Sequence, residues 1–119
     1  MAIVNQQVKT TQEPILSVPP GKSYAITNIL VCNTYNPTAG DADLHQASFD
    51  LHLIPNLQGL NNQVTAVIRE LNLPAGETFT FDTERIVLED GDELILIAEP
   101  GIYPEGATDL AVTVSYLEV

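Results

Sequence analysis

LNLPAGETFTFDTERIVLEDGDELILI, residues Leu71 to Ile97, decides the fold. Four short runs, LNL, TFTF, RIVL and ELILI, are separated by turn-forming residues, most clearly Pro74-Ala75-Gly76-Glu77 and Glu89-Asp90-Gly91-Asp92. β-Branched and aromatic side chains suit a pleated, half-buried surface. Proline presets φ early in a turn, and glycine accepts a positive φ later in it. The stretch therefore reads as strand and turn in repetition, with Asp90-Gly91 expected to close a hairpin whose charges stay in water.

The same grammar runs in both directions. Upstream, Pro14 introduces Ile15-Leu16-Ser17-Val18, and Pro19-Pro20-Gly21-Lys22 is a turn. Ser23 to Thr34 has apolar residues on both alternating sets, Tyr24, Ile26, Leu30 and Cys32 on one and Ala25, Ile29 and Val31 on the other. Such a strand is expected to be central in its sheet or covered on its outer face by another subunit. Ala47 to Ile54 alternates, with Phe49, Leu51 and Leu53 inward and Ser48, Asp50 and His52 on a polar face. Downstream, Leu110, Val112, Val114 and Tyr116 are the inward set of a closing strand. Tyr35 to Gln46, Pro55 to Gln63 and Glu99 to Thr108 lack periodicity and read as loops. No window carries the three-to-four spacing of an amphipathic helix. The expectation is an all-β fold, an antiparallel β-sandwich of about seven or eight strands with jelly-roll or Greek-key connections. Residues 1–13 are expected to be a flexible arm or an edge strand, and residues 14–119 a single sandwich domain.

Composition narrows the function classes. With 119 residues, 45% of them apolar, no Trp and 6% aromatics, the chain supports one core built from Leu, Ile and Val. Its longest apolar runs fall far short of the ~20 residues that span a bilayer, and the N-terminus lacks the pattern of a secretory signal. Sixteen acidic against four basic residues give a formal charge of −12. That charge repels phosphate backbones and anionic lipid, so neither nucleic acid nor membrane is an expected partner. The single cysteine, Cys32, lies in an apolar run and is expected to be a buried structural thiol.

Candidate chemistry is sparse. Asp41 and Asp43, and the group around Gly91, match no ordered calcium loop. His45 and His52 have no partner at zinc-ligand spacing and are expected on the surface. There is no nucleophile elbow and no phosphate-cradling loop, and nothing selects a catalytic carboxylate pair. No enzyme activity, metal or cofactor is expected. The loop tyrosines Tyr35 and Tyr103 leave a sugar-binding platform as one alternative, with end plugs of the sandwich as the other.

Six segments together carry a resemblance. Val18-Pro19-Pro20-Gly21, Val31-Cys32-Asn33, Leu53-Ile54-Pro55, Leu73-Pro74-Ala75-Gly76-Glu77-Thr78-Phe79-Thr80, Glu89-Asp90-Gly91-Asp92 and Val114-Ser115-Tyr116 follow one another as in small β-sandwich virion proteins of tailed phages, especially cyanobacterial and other marine phages. The chain resembles that group from Ser17 onward, through turn and strand signatures rather than functional residues. The resemblance implies a virion structural protein made in the host cytoplasm. It would be a head decoration or cement protein, or a sandwich module of the neck, tail or fibre attachment. It further implies a homo-oligomer, with a trimer favoured, that meets the major capsid protein or other virion proteins and extends its N-terminal arm to an adjoining subunit. The residues expected at partner contacts are Tyr24 and Ile26 on the doubly apolar strand, and Tyr35, Leu57, Leu60, Ile102 and Tyr103 in the loops.

Overall fold

A computed structural model of the chain describes residues 2–35, 45–81, 86–99 and 110–119. In chain order the strands are β1 (Ala2–Gln7), β2 (Pro14–Ser17), β3 (Tyr24–Asn33), β4 (Ala47–Ile54), β5 (Ala66–Leu73), β6 (Thr78–Phe81), β7 (Ile86–Leu88), β8 (Glu93–Glu99) and β9 (Leu110–Glu118). One sheet has the order β1-β9-β3-β6, with β7 also on β3, and the other the order β2-β8-β4-β5. All strand pairings within the two sheets are antiparallel. First pairs with last, second with next to last, β3 with β6 and β7, and β4 with β5. That nested pairing is a jelly roll in which β6 and β7 occupy one interrupted strand position. No helix among the described residues is long and apolar enough to cross a membrane.

The core lies between the two inner faces. Phe49, Leu51, Leu94, Leu96 and Ala98 from one sheet meet Ile29, Val31, Leu110, Val112 and Val114 from the other. At roughly 1.5–3 kcal/mol for each large side chain buried, this layer is the main source of stability. Val8 is 1% exposed and belongs to the same cluster. The N-terminal residues 2–8 are thus an edge of the sandwich rather than an arm.

Three turns share one construction. Lys22 N–H donates to Pro19 C=O at 3.3 Å, Glu77 N–H to Pro74 C=O at 3.2 Å, and Asp92 N–H to Glu89 C=O at 3.0 Å. Gly21, Gly76 and Gly91 hold the third position with φ of 80°, 79° and 83°. This is the glycine role read from the sequence. The connections differ from expectation, however. Each turn carries the chain from one sheet to the other, β2 to β3, β5 to β6 and β7 to β8, so Glu89-Asp90-Gly91-Asp92 is a corner and not a hairpin. An i to i+3 hydrogen bond reverses the chain locally, and it does not choose which strand the next one pairs with.

Candidate interaction face

β3 is central in its sheet, between β9 on one side and β6 and β7 on the other. A bulge at Thr27 shifts its register on β9 between Ile26 and Asn28. The extra residue reverses the alternation, as a bulge must. Tyr24 and Ile26 point inward before it, and Ile29, Val31 and Asn33 point inward after it. Leu30 and Cys32 therefore face outward, although the plain alternation grouped them with Tyr24 and Ile26. Cys32 is half-buried on the outer face, not a core thiol.

The outer face of this sheet is laid out in cross-strand rows. Asn5, Thr113, Leu30 and Thr80 form one, and Ile3, Ser115 and Asn28 the next. Ala111, Cys32 and Thr78 form a third, and Leu117, Ala25 and Val87 a fourth. None of these residues is charged, in a chain of formal charge −12. Small Ala, Ser and Thr side chains make up much of the face, while Ile3, Val87 and Leu117, exposed by 64%, 50% and 37%, give it an apolar margin. At the bulge the Thr27 hydroxyl donates to Ser115 C=O at 3.0 Å. Asn28 Oδ1 is sheltered with no partner among the described residues. A surface without ions to desolvate is suited to contact with another protein surface.

The other sheet presents the opposite character. Asp50, His52 and Ile54 on β4 stand opposite Ile97, Ile95 and Glu93 on β8. Asp50 Oδ1 accepts from Glu70 N–H at 2.7 Å, and its Oδ2 lies 3.4 Å from Arg69 Nη1. Glu70 reaches this position with φ of 50°, where the register between β4 and β5 shifts. A hydrogen bond to Asp50 raises the Glu99 carboxyl to about 7, assisted by burial and by the charges of Asp50 and Glu70 and partly offset by Arg69.

His52 is fully buried rather than on the surface. The period of two places it on the outer face as expected, but Thr65, at the end of the loop after β4, closes over it. Thr65 Oγ1 donates to Asn61 C=O at 2.9 Å and lies 2.9 Å from His52 Nδ1. Thr65 Oγ1 thus joins His52 to the Asn61 carbonyl, while His52 Nε2 is sheltered with no partner among the described residues. Burial lowers the imidazole pKa, with Asp50 opposing and Arg69 assisting.

Nothing in either arrangement converges as a metal site: among the described residues no three His, Cys, Asp or Glu side chains could hold an ion. Around Gly91, both Asp92 carboxylate oxygens accept backbone N–H groups, from Asn56 at 2.8 Å and from Glu89 at 2.9 Å. The acidic turn is a structural junction between that corner and the loop after β4.

Comparison with protein-family models, curated proteins and solved structures finds no match for this chain. The placement of the expected contact residues therefore rests on the geometry. Ile26 is 2% exposed in the core and has no outer surface to offer. Tyr24 also packs on the core, with its ring 4.7 Å from that of Tyr116. Tyr35 lies face to face with His45 at 3.6 Å, so one side of its ring is occupied. Leu57 is fully exposed, with φ of 68°, whereas Leu60 is half-buried. Ile102 and Tyr103 lie outside the described residues. Leu57 apart, the surface suited to contact among the described residues is the uncharged sheet face. A bulge-corrected alternation would have found it, because no charge occurs between Tyr24 and Asn33 or between Leu110 and Leu117.

Proposed function

We propose that this chain is a structural subunit of a tailed-phage virion, a decoration or cement protein that assembles as an oligomer on the head. The observation that carries this reading is the outer face of the β1-β9-β3-β6 sheet, which is free of charge among the described residues of a chain of formal charge −12. Repulsion between such acidic bodies favours contact only where no charge must be desolvated. This face supplies that place, and the turn and strand segments that resemble phage sandwich proteins indicate the setting. The fully exposed Leu57 is a second apolar point at the end of the sandwich.

The test is quantitative mass spectrometry of purified virions, followed by adding the purified protein to capsids that lack it. The expected result is a high copy number and saturable binding, weakened by Thr113→Lys in the middle of the face. Absence from virions overturns the proposal. A low copy number moves the subunit to the neck, tail or fibre attachment.

A further inference from the structure

The uncharged face ends at β1, and among the described residues no strand pairs with the far side of β1. Val8 N–H donates to Leu110 C=O at 2.9 Å. Backbone groups alternate along a strand, so Val4 and Gln6 also turn theirs toward β9, while Ile3 and Asn5 turn their N–H and C=O groups away from it. An exposed row of such groups is a template for another strand unless something guards it.

The other three edges are guarded. β2 has four residues, opens on Pro14 and has an irregular register. β5 carries Arg69 and Glu70, and its register on β4 shifts at the positive φ of Glu70. On β3, the far edge is divided between β6, with four residues, and β7, with three. β1 has none of these devices. It pairs with β9 without a break from Ala2 to Gln7, and Ala2 to Val8 contains no proline, glycine or charged residue.

From this edge we infer that two copies of the chain join through β1 itself, strand against strand and antiparallel, into one sheet that continues across a two-fold axis. A second copy is the fitting occupant for three reasons. Antiparallel pairing of one edge with itself is self-complementary and closes after two copies. The contact brings no charge against charge although each body is acidic. Joining at β1 also makes the uncharged outer face continuous over both copies. The inference concerns the chain itself and does not rest on the virion reading. The solution mass tests the pairing, and the composition of virions tests the other.

Sedimentation velocity over a concentration series, at low and at moderate salt, is the experiment. The expected result is a monomer–dimer equilibrium that strengthens with salt, because screening reduces repulsion between the acidic bodies. Asn5→Pro removes an N–H that faces away from β9, which an edge strand tolerates, and Ile3→Lys puts a charge on the edge. Each is expected to weaken the dimer about tenfold or more, with a melting temperature near that of the parent. Amide exchange adds a readout without substitution: the Ile3 and Asn5 amides are expected to slow as concentration rises. A strict monomer, a trimer, or a dimer indifferent to both substitutions overturns the inference. So does a dimer lost in Thr113→Lys but kept in Asn5→Pro, which would place the contact on the sheet face.

Discussion

The side-chain amide of Asn33 donates to the carbonyl oxygen of Leu73 at 3.0 Å, linking the end of β3 in one sheet to the end of β5 in the other. The same nitrogen donates to His45 C=O at 2.7 Å, and Asn33 Oδ1 accepts Tyr35 N–H at 3.2 Å. Its main chain joins the corner at Gly76, with Asn33 N–H on Glu77 C=O and Gly76 N–H on Asn33 C=O. Asn33 is fully buried, and this one side chain satisfies backbone groups from three segments.

Asn33→Ala is expected to cost about 2–4 kcal/mol, because the Leu73 and His45 carbonyls and the Tyr35 N–H lose their partner together. Asn33→Asp keeps the shape and loses the donors, so it is expected to destabilise as well. Urea unfolding monitored by circular dichroism measures both, and a loss below about 0.5 kcal/mol would contradict the role given to Asn33.

Gly21 and Gly91 separate backbone strain from crowding. Both have positive φ, but a Cβ at Gly21 meets nothing, while one at Gly91 meets the Asn56 side chain. Gly21→Ala is expected to cost about 1–2 kcal/mol from the left-handed backbone alone. Gly91→Ala is expected to cost more, and placing Asn56→Ala behind it should close the difference. Thermal melts of the four proteins check this.

The Asp50 cluster predicts opposing pH dependences. Glu99 has a raised folded-state pKa, so the folded protein holds a proton that the unfolded chain releases. Its contribution is present below the usual glutamate range and is lost as pH rises toward about 7. His52 has a lowered folded-state pKa, so its contribution is present above about 6.5 and is lost as pH falls. Glu99→Gln is expected to melt higher than the parent at pH 8 and to converge with it near pH 4.5. His52→Gln is expected to leave the Glu99 trend, a fall in stability as pH rises. Melting curves across this range check both signs.

Thr113→Lys tests the outer face. It adds a charge on the solvent side of β9, opposite Leu30 and Asn5, without touching the core. Stability is expected to stay within about 0.5 kcal/mol, while binding to capsids falls about tenfold or more. Urea unfolding and a capsid pull-down read the two effects separately.

Much of the architecture was legible before the structure. Ala47 to Ile54 has the bounds of β4, and the Leu110 set of β9 faces the core, because alternation records which side of a strand meets apolar surroundings. Two local devices were not legible. The Thr27 bulge exchanged the faces within β3, and only the register against β9 displays it. The closure of Thr65 over His52 turned a polar face into an interior, and alternation cannot say what lies above a face.

The corners at Gly21, Gly76 and Gly91 mark the division. Their residues determined by themselves where the chain turns, since a positive φ and an i to i+3 hydrogen bond are properties of four consecutive residues. Which strand each corner delivers to which neighbour was decided only in the tertiary structure. There the packing of Phe49, Leu96, Val31 and Val112 selects pairings between segments far apart in sequence. The same pairings assemble the uncharged face and leave β1 as its last strand among the described residues.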